Sequence, residues 1–265
     1  MNLSQKFIVI SDQRSGSTFL CNKLESYESI LCHGEVFLNK VIPERFIKYS
    51  KKTFLIKLMT SKFVLNFKRI LSFFGFSIKL PYGSSFNKEI KTYLDALYND
   101  PSFSLPHYSD KINRQNINAI GFKIMYNQIL NLEYIFHYAE NNNVKIILLR
   151  RKTLDKFVSR EIAKKTSVYH SNEDGNKIKS IYINPWYYKL FIAKTRLDEK
   201  NIINRLKNAD LIYVDYEKIV SNQSDILDFL NIKNRVTGGV NRSLNKVIKS
   251  KLNEIVINYD RISKI

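Results

Sequence analysis

Residues 6–20 read KFIVISDQRSGSTFL. The apolar run at 7–10, within Lys6–Ser11, predicts a short buried strand. A polar turn with one glycine follows at 12–17, and apolar residues then recur at helical spacing from Thr18 to about Ser26. The stretch therefore predicts a strand, a phosphate-type loop and a helix, in that order.

The loop has the chemistry of an anion site. A helix N-terminus offers unpaired N–H groups and a partial positive charge. Gly16 lets the backbone approach an anion closely, and Arg14 adds a guanidinium suited to phosphate or sulfonate oxygens. Hydroxyl donors come from Ser15, Ser17 and Thr18. The nucleoside triphosphate loop G-x-x-x-x-G-K-[ST] is excluded because it needs a second glycine and a lysine. An ordinary turn with capping serines is the alternative from local chemistry alone.

Strands and helices alternate along the rest of the chain. Further strands are predicted at 118–125, 144–149 and 211–214, and helices at about 127–140, 153–165, 182–206 and 225–230. This alternation implies a three-layer α/β/α domain with a mainly parallel central sheet. We interpret 1–265 as a single domain with a helical insertion at about 43–117. Ligands of such sheets bind at the carboxyl ends of the strands, so we expect the site after Ile10 and Leu149.

Composition restricts the setting of the protein. The two cysteines, Cys21 and Cys32, form neither a disulfide framework nor a zinc spacing, and predict reduced thiols in a cytoplasmic protein. The start of the chain lacks the apolar stretch of a signal peptide, and no run of about 18 apolar residues occurs. The net charge of +19 indicates either an anionic partner or a compositional bias toward lysine. Nucleic acid is not an expected partner because no recognised binding motif accompanies the charge.

Two aromatic segments have open interpretations. The segment 63–80 mixes basic and phenylalanine residues, which suits either peripheral contact with a membrane or a core-facing helix of the insertion. Tyr169, Trp186, Tyr187 and Tyr188 are able to stack on adenine or a sugar, although packing in the core is the more ordinary use of such side chains.

The chain resembles a known family in four segments that follow one another in the expected order. Residues 13–20, QRSGSTFL, resemble the 5′-phosphosulfate loop of sulfotransferases that use 3′-phosphoadenosine-5′-phosphosulfate (PAPS). Their Gln-Arg form is similar to the bacterial trehalose and lipopolysaccharide sulfotransferase group, whereas common cytosolic sulfotransferases have lysine in place of Arg14. Residues 33–37, HGEVF, are similar to the group's segment with the catalytic glutamate. Residues 121–128, GFKIMYNQ, resemble its second characteristic strand, and 150–159 resembles its 3′-phosphate site.

The resemblance implies a P-loop-like sulfotransferase fold and a reaction. A sulfonate group would pass from PAPS to a hydroxyl of a carbohydrate or glycolipid, with release of the 3′,5′-bisphosphate nucleotide (PAP) and without a metal. Glu35 would be the general base, and Arg14 would stabilise charge on the leaving phosphate oxygen. The insertion would be a lid over the acceptor. A kinase-like nucleotide-binding protein, or a non-enzymatic binder of acidic glycans or nucleic acid, is the alternative.

The resemblance also assigns the binding residues. Arg14 and the loop residues Ser15, Gly16, Ser17 and Thr18 would hold the 5′-phosphosulfate. Arg151, just past a strand, and Ser159, about two helical turns further on, would hold the 3′-phosphate. Arg150 competes with Arg151 for that role, because the family motif tolerates either register. On a strand the two side chains would face opposite sides.

Two further polar residues are candidates for contact with the acceptor. Gln13 immediately precedes the arginine of the loop and is a candidate for binding acceptor hydroxyls. His33 is a candidate for binding the substrate and a second candidate for the base, because the ordinary pKa of histidine, about 6.5, suits proton transfer.

Overall fold

The computed structural model describes residues 4–37, 84–99, 117–129, 134–166, 180–233, 235–237 and 251–265. Five strands form one sheet, in the order β2-β3-β1-β4-β5. They are β1 (Gln5–Ser11), β2 (Ile30–Glu35), β3 (Ala119–Met125), β4 (Lys145–Arg150) and β5 (Leu211–Asp215). Every pairing between these strands is parallel, and helices cover both faces of the sheet. The predicted three-layer α/β/α class is confirmed.

Nine helices connect or follow the strands in the described parts of the chain. They are α1 (Ser17–Glu25), α2 (Ser84–Asn99), α3 (Tyr126–Ile129), α4 (Tyr134–Asn141), α5 (Thr153–Thr166), α6 (Pro185–Arg205), α7 (Gln223–Phe229), α8 (Leu252–Ile255) and α9 (Tyr259–Ile262). Within the helix predicted at 127–140, the structure describes α3 and α4, and residues 130–133 lie outside the described residues. Helix α6 begins three residues later than predicted because Asn184 caps it, accepting hydrogen bonds from the backbone N–H groups of Trp186 and Tyr187.

The central strand β1 is buried on both faces. Phe7 and Val9 are fully buried in a cluster with residues of α1 and α7, while Ile8 and Ile10, also fully buried, point to the opposite face. Both of its neighbours in the sheet, β3 and β4, are parallel to it. The loop after Ser11 therefore lies at the carboxyl edge of the sheet, between the loops that follow β3 and β4. This is the position at which doubly wound sheets bind their ligands.

The chain divides into two compact units, residues 1–35 with 113–265, and residues 36–112. In the second unit the structure describes Val36, Phe37 and α2, in which the Tyr93 hydroxyl donates to the Val36 carbonyl at 3.2 Å. The segment 63–80, and most of the predicted insertion, lie outside the described residues. The role of the insertion as a lid stays a prediction. Among the described helices, none has the length and apolar character needed to cross a membrane.

Candidate functional site

The loop between β1 and α1 has a backbone that requires glycine at one position. Both Arg14 and Gly16 adopt left-handed φ angles, 65° and 84°. A Cβ atom added to Gly16 would lie 2.2 Å from Cε2 of Tyr216, the residue that follows β5. The conformation and the close approach of the tyrosine ring thus both exclude a side chain at this position.

The loop before α1 carries a buried hydroxyl that has no partner among the described residues. Ser15 is 1% exposed, and its Oγ atom has no hydrogen-bond partner among the described residues. Among the described residues, no side chain caps the N-terminus of α1, which begins at Ser17 after Gly16. Buried hydroxyls and first-turn N–H groups ordinarily find an acceptor. The loop therefore fits an anion with several oxygens.

Three of the predicted binding residues are connected by hydrogen bonds. Arg14 Nε donates to Ser159 Oγ at 3.0 Å, and Arg151 Nη1 donates to the Arg14 carbonyl at 3.0 Å. Ser159 is 3% exposed and the Arg151 side chain 14% exposed, so both contacts are largely shielded from water. The segment that the resemblance assigns to the 5′-phosphosulfate and the one that it assigns to the 3′-phosphate thus meet at a single cationic cluster beside the loop.

Arg150 and Arg151 lie in different surroundings. The Arg151 guanidinium stacks on the ring of Tyr216, 4.4 Å from its centroid, and contacts the loop as described above. Arg150 forms an ion pair with Glu199 of α6, with 2.5 Å between Nε and Oε1, and stacks on Tyr213 at 4.0 Å. Of the two arginines, Arg151 is therefore the one that lies at the candidate site.

A partly buried ion pair anchors the start of the loop. Lys156 of α5 donates from Nζ to Asp12 Oδ2 at 3.1 Å, and the two side chains are 6% and 18% exposed. The other oxygen of Asp12, Oδ1, accepts a hydrogen bond from the Gln13 backbone N–H at 2.7 Å. Lys156 and Ser159 are three residues apart, so they project from the same side of α5. That side of the helix holds both Asp12 and Arg14 in place.

Glu35 lies at the end of β2, where the pairing of β2 with β3 is irregular. His33 pairs with Phe122, but Glu35 pairs with Lys123, so Gly34 is an extra residue in β2. Because paired residues of neighbouring strands share a face, the bulge places Glu35 on the face of Lys123 and leaves His33 on the other. Lys123 also pairs with Val9, whose face is covered by α1. The sequence does not predict β2 as a strand, because Gly34 and Glu35 interrupt the apolar pattern of this edge strand.

The Glu35 carboxylate is connected to the anion loop through one lysine. Lys123 Nζ lies 3.2 Å from Glu35 Oε1 and donates to Thr18 Oγ1 at 2.8 Å. Gln128 Nε2 donates to the second carboxylate oxygen, Oε2, at 3.3 Å. The structure thus brings Glu35 next to Thr18, one of the predicted loop residues.

The two candidate acceptor residues are placed differently from Glu35. His33 is 1% exposed and lies on the sheet face opposite to Lys123, so the structure does not bring it to the cluster around the loop. Gln13, between Asp12 and Arg14 in the loop, is exposed.

The cysteines and three of the predicted stacking residues, Trp186, Tyr187 and Tyr188, are described away from this cluster. Cys21 and Cys32 are free and buried, and burial raises the pKa of the Cys32 thiol well above its usual range, so this thiol stays protonated. Trp186 and Tyr187 are 70% and 44% exposed, while Tyr188 is 5% exposed and packs against Phe157. Tyr169 lies outside the described residues. No group of three or more metal-ligating side chains occurs among the described residues.

Four residues of the site are absent from the sequence-based assignments. Lys123 and Gln128 both lie in the GFKIMYNQ segment, where a lysine within an apolar strand was the available signal. Lys156 is three residues before Ser159 on α5, and the period of the helix could have pointed to it. Tyr216 follows a strand whose neighbour in the sheet is not readable from the sequence, so no local pattern points to its contact with Gly16.

Comparisons with known proteins give structural neighbours only. No known family and no curated protein matches the sequence. The sulfotransferase domain of the Synechococcus PCC 7002 olefin synthase is 15% identical, with a TM-score of 0.44 over 88% of this chain and 75% of that domain. The sulfotransferase domain of the curacin biosynthetic pathway is 20% identical, with a TM-score of 0.41 over 91% of this chain and 82% of that domain. A sulfotransferase from Alicyclobacillus acidocaldarius is 12% identical, with a TM-score of 0.40 over 91% of this chain and 86% of that chain.

Proposed function

We propose that the chain is a sulfotransferase that moves a sulfonate group from PAPS to a hydroxyl of a carbohydrate or glycolipid. One observation carries the proposal. Lys123 Nζ contacts both Thr18 Oγ1, at 2.8 Å, and Glu35 Oε1, at 3.2 Å. A carboxylate that is able to accept a proton therefore lies beside a loop that is able to hold an anion. Transfer of a group from an anionic donor to a hydroxyl needs these two capacities at adjacent positions.

The residues around the loop fit such a donor. PAPS, when bound, supplies an activated sulfonate on its 5′-phosphate. The Ser15 hydroxyl and the first turn of α1, which have no partner and no side-chain cap among the described residues, would donate to the 5′-phosphosulfate together with Arg14. Arg151 and Ser159 would hold the 3′-phosphate, the role that the sequence resemblance implies for them. The buried position of Ser159 and the largely buried Arg151 side chain suit the recognition of a single phosphate.

Glu35 is the proposed general base. It accepts the proton of the acceptor hydroxyl while the acceptor oxygen forms its bond to sulfur and the bond from sulfur to the phosphate oxygen breaks. The electron pair of the broken bond remains on the phosphate oxygen. There the Arg14 guanidinium and the N–H groups of α1 stabilise the developing charge. Gln13, which is exposed, would bind other hydroxyls of the acceptor.

Support for the acceptor class and the setting comes from the sequence. The resemblance of residues 13–20 to the trehalose and lipopolysaccharide group favours a carbohydrate or glycolipid. A glycolipid acceptor would bring a cytoplasmic enzyme into peripheral contact with a membrane. The net charge of +19 would favour such contact if the lipids are anionic.

The test is transfer of labelled sulfonate from PAPS to a panel of sugars and glycolipids, with Glu35→Gln beside the wild type. Removing a positioned base should lower turnover by about 10²- to 10⁴-fold. The affinity for PAP should stay within about threefold, because the carboxylate does not hold the phosphates. Glu28→Gln is the matched control, since Glu28 is exposed and precedes the opposite end of β2.

Four results would count against the proposal. Near-wild-type turnover in Glu35→Gln would remove Glu35 as the base. Loss of PAP binding in this variant would indicate that Glu35 supports the structure of the loop instead. A wild-type protein that binds PAP but transfers to no acceptor would indicate a binding protein, and phosphoryl transfer from ATP would indicate the kinase-like alternative.

A further inference from the structure

Both oxygens of the Glu35 carboxylate are held by side chains from the β3–α3 segment. Lys123 of β3 contacts Oε1 at 3.2 Å, and Gln128 of α3 donates to Oε2 at 3.3 Å. The Gln128 amide is itself oriented, because its Oε1 accepts a hydrogen bond from the Met125 backbone N–H at 2.8 Å. Its NH2 group must then face the carboxylate. One short segment therefore fixes both the position and the plane of this carboxylate.

Lys123 is an unusual residue for its position in the sheet. It is 6% exposed on a strand whose neighbouring side chains, Phe122 and Ile124, are fully buried. Burial of an ammonium group is unfavourable by several kcal/mol unless the charge is paired and hydrogen-bonded. Lys123 satisfies this requirement with Glu35 on β2 and Thr18 on α1. An apolar residue would serve the core equally well, so the lysine indicates a role in the site.

The bulge in β2 makes the contact with Lys123 possible. A regular strand would place His33 and Glu35 on the same face, because side chains alternate with a period of two. The extra residue, Gly34, instead puts Glu35 beside Lys123. Bulges of this kind often reorient a side chain at the edge of a sheet next to an active site.

We infer that Lys123 and Gln128 are positioning residues for the proposed base Glu35, and that Lys123 couples it to the donor loop through Thr18. The inference rests on the proposed sulfotransferase function. Gln128 fixes the orientation of the carboxylate, and Lys123 fixes its distance from the loop. Both act on the reaction through Glu35.

The test compares Gln128→Leu and Lys123→Met in the transfer assay. Turnover should fall about 10- to 100-fold in each variant, the range expected for a catalytic group displaced by about 1 Å. PAP affinity should stay within about threefold in Gln128→Leu, because Gln128 contacts the carboxylate and not the loop. Lys123→Arg should recover part of the activity that Lys123→Met loses. Lys145→Met is the matched control, since Lys145 is another strand lysine, 14% exposed and ion-paired with Asp210, at the opposite end of the sheet.

A double-mutant cycle with Glu35→Gln separates positioning from a direct role. In the Glu35→Gln background, either substitution should lower turnover by less than about threefold, because the group being positioned is already inactive. If the fold-losses in turnover of the single variants multiply in full in the double variants, the inference is overturned while the sulfotransferase function stays intact. Wild-type activity in both single variants would overturn it as well. Failure of the wild type to bind PAP or to transfer sulfonate would instead refute the proposed function, and the inference with it.

Discussion

Gly16→Ala tests the account of the anion loop at its most constrained position. A residue with a side chain at a φ of 84° is disfavoured by about 1–2 kcal/mol. The added Cβ would also lie 2.2 Å from Cε2 and 2.3 Å from Cδ2 of the Tyr216 ring, so the ring must move. Overpacking of this kind destabilises a protein by about 1–3 kcal/mol. Together these effects predict a loss of about 2–5 kcal/mol in the free energy of unfolding.

Displacement of the Tyr216 ring should also affect ligand binding. The ring supports the Arg151 guanidinium at 4.4 Å, and Arg151 in turn donates to the Arg14 carbonyl. We therefore expect Gly16→Ala to weaken PAP binding at least about tenfold, or ~1.4 kcal/mol, even under conditions where the variant is fully folded.

Urea unfolding and isothermal calorimetry measure the two effects. The double variant Gly16→Ala/Tyr216→Ala relieves the clash but not the backbone strain, so the double-mutant cycle should give a coupling of about 1–3 kcal/mol. If the free energy of unfolding of Gly16→Ala lies within about 0.5 kcal/mol of the wild-type value and its PAP affinity is unchanged, the predicted strain and clash at Gly16 are refuted.

Two further substitutions test the surroundings of the loop. Arg151→Ala should weaken the binding of PAP much more than that of AMP, and the smaller loss for AMP arises because the contact with the loop also disappears. Arg150→Ala should leave the preference for PAP over AMP unchanged. Calorimetry on both nucleotides measures these affinities, and a selective loss of PAP binding in Arg150→Ala would contradict the assignment. Lys156→Met should lower the free energy of unfolding by about 3–5 kcal/mol, because it leaves Asp12 without its buried partner. Lys91→Met, which breaks an exposed ion pair with Asp95, is the control. Its free energy of unfolding should stay within about 0.5 kcal/mol of the wild-type value in the same urea titration.

The strands and helices near the loop could be predicted from local pattern. The run Phe7–Ile10 is apolar throughout, as expected for a strand buried on both faces, and it is the central strand of the sheet. Helix α5 was predicted within one residue, because its apolar positions recur at helical spacing after Thr153. Strand β2 could not be predicted, since a short edge strand with a bulge has neither a continuous apolar run nor strict alternation.

Part of the candidate site could be named from the sequence, but Lys123, Gln128, Lys156 and Tyr216 could not, and neither could the contacts between its residues. Arg14, Arg151 and Ser159 could be named from motif and spacing, yet their hydrogen bonds to one another depend on how β1 and β4 pair. The ion pair of Lys123 with Glu35 depends on a bulge and on the order of the strands, which are tertiary features. A resemblance in sequence points to residues one at a time, whereas the chemistry of the site depends on their contacts.

Binding of PAP compared with AMP is the most direct test of the central claim, that the loop and the Arg151–Ser159 pair form a site for PAPS. The two nucleotides differ only in the 3′-phosphate, which is the group assigned to Arg151 and Ser159. Calorimetry on the wild-type protein should give PAP an affinity at least about tenfold higher than AMP, a difference of ~1.4 kcal/mol that is modest for charge-assisted hydrogen bonds. Equal affinities for the two nucleotides, or no binding of PAP, would contradict the account.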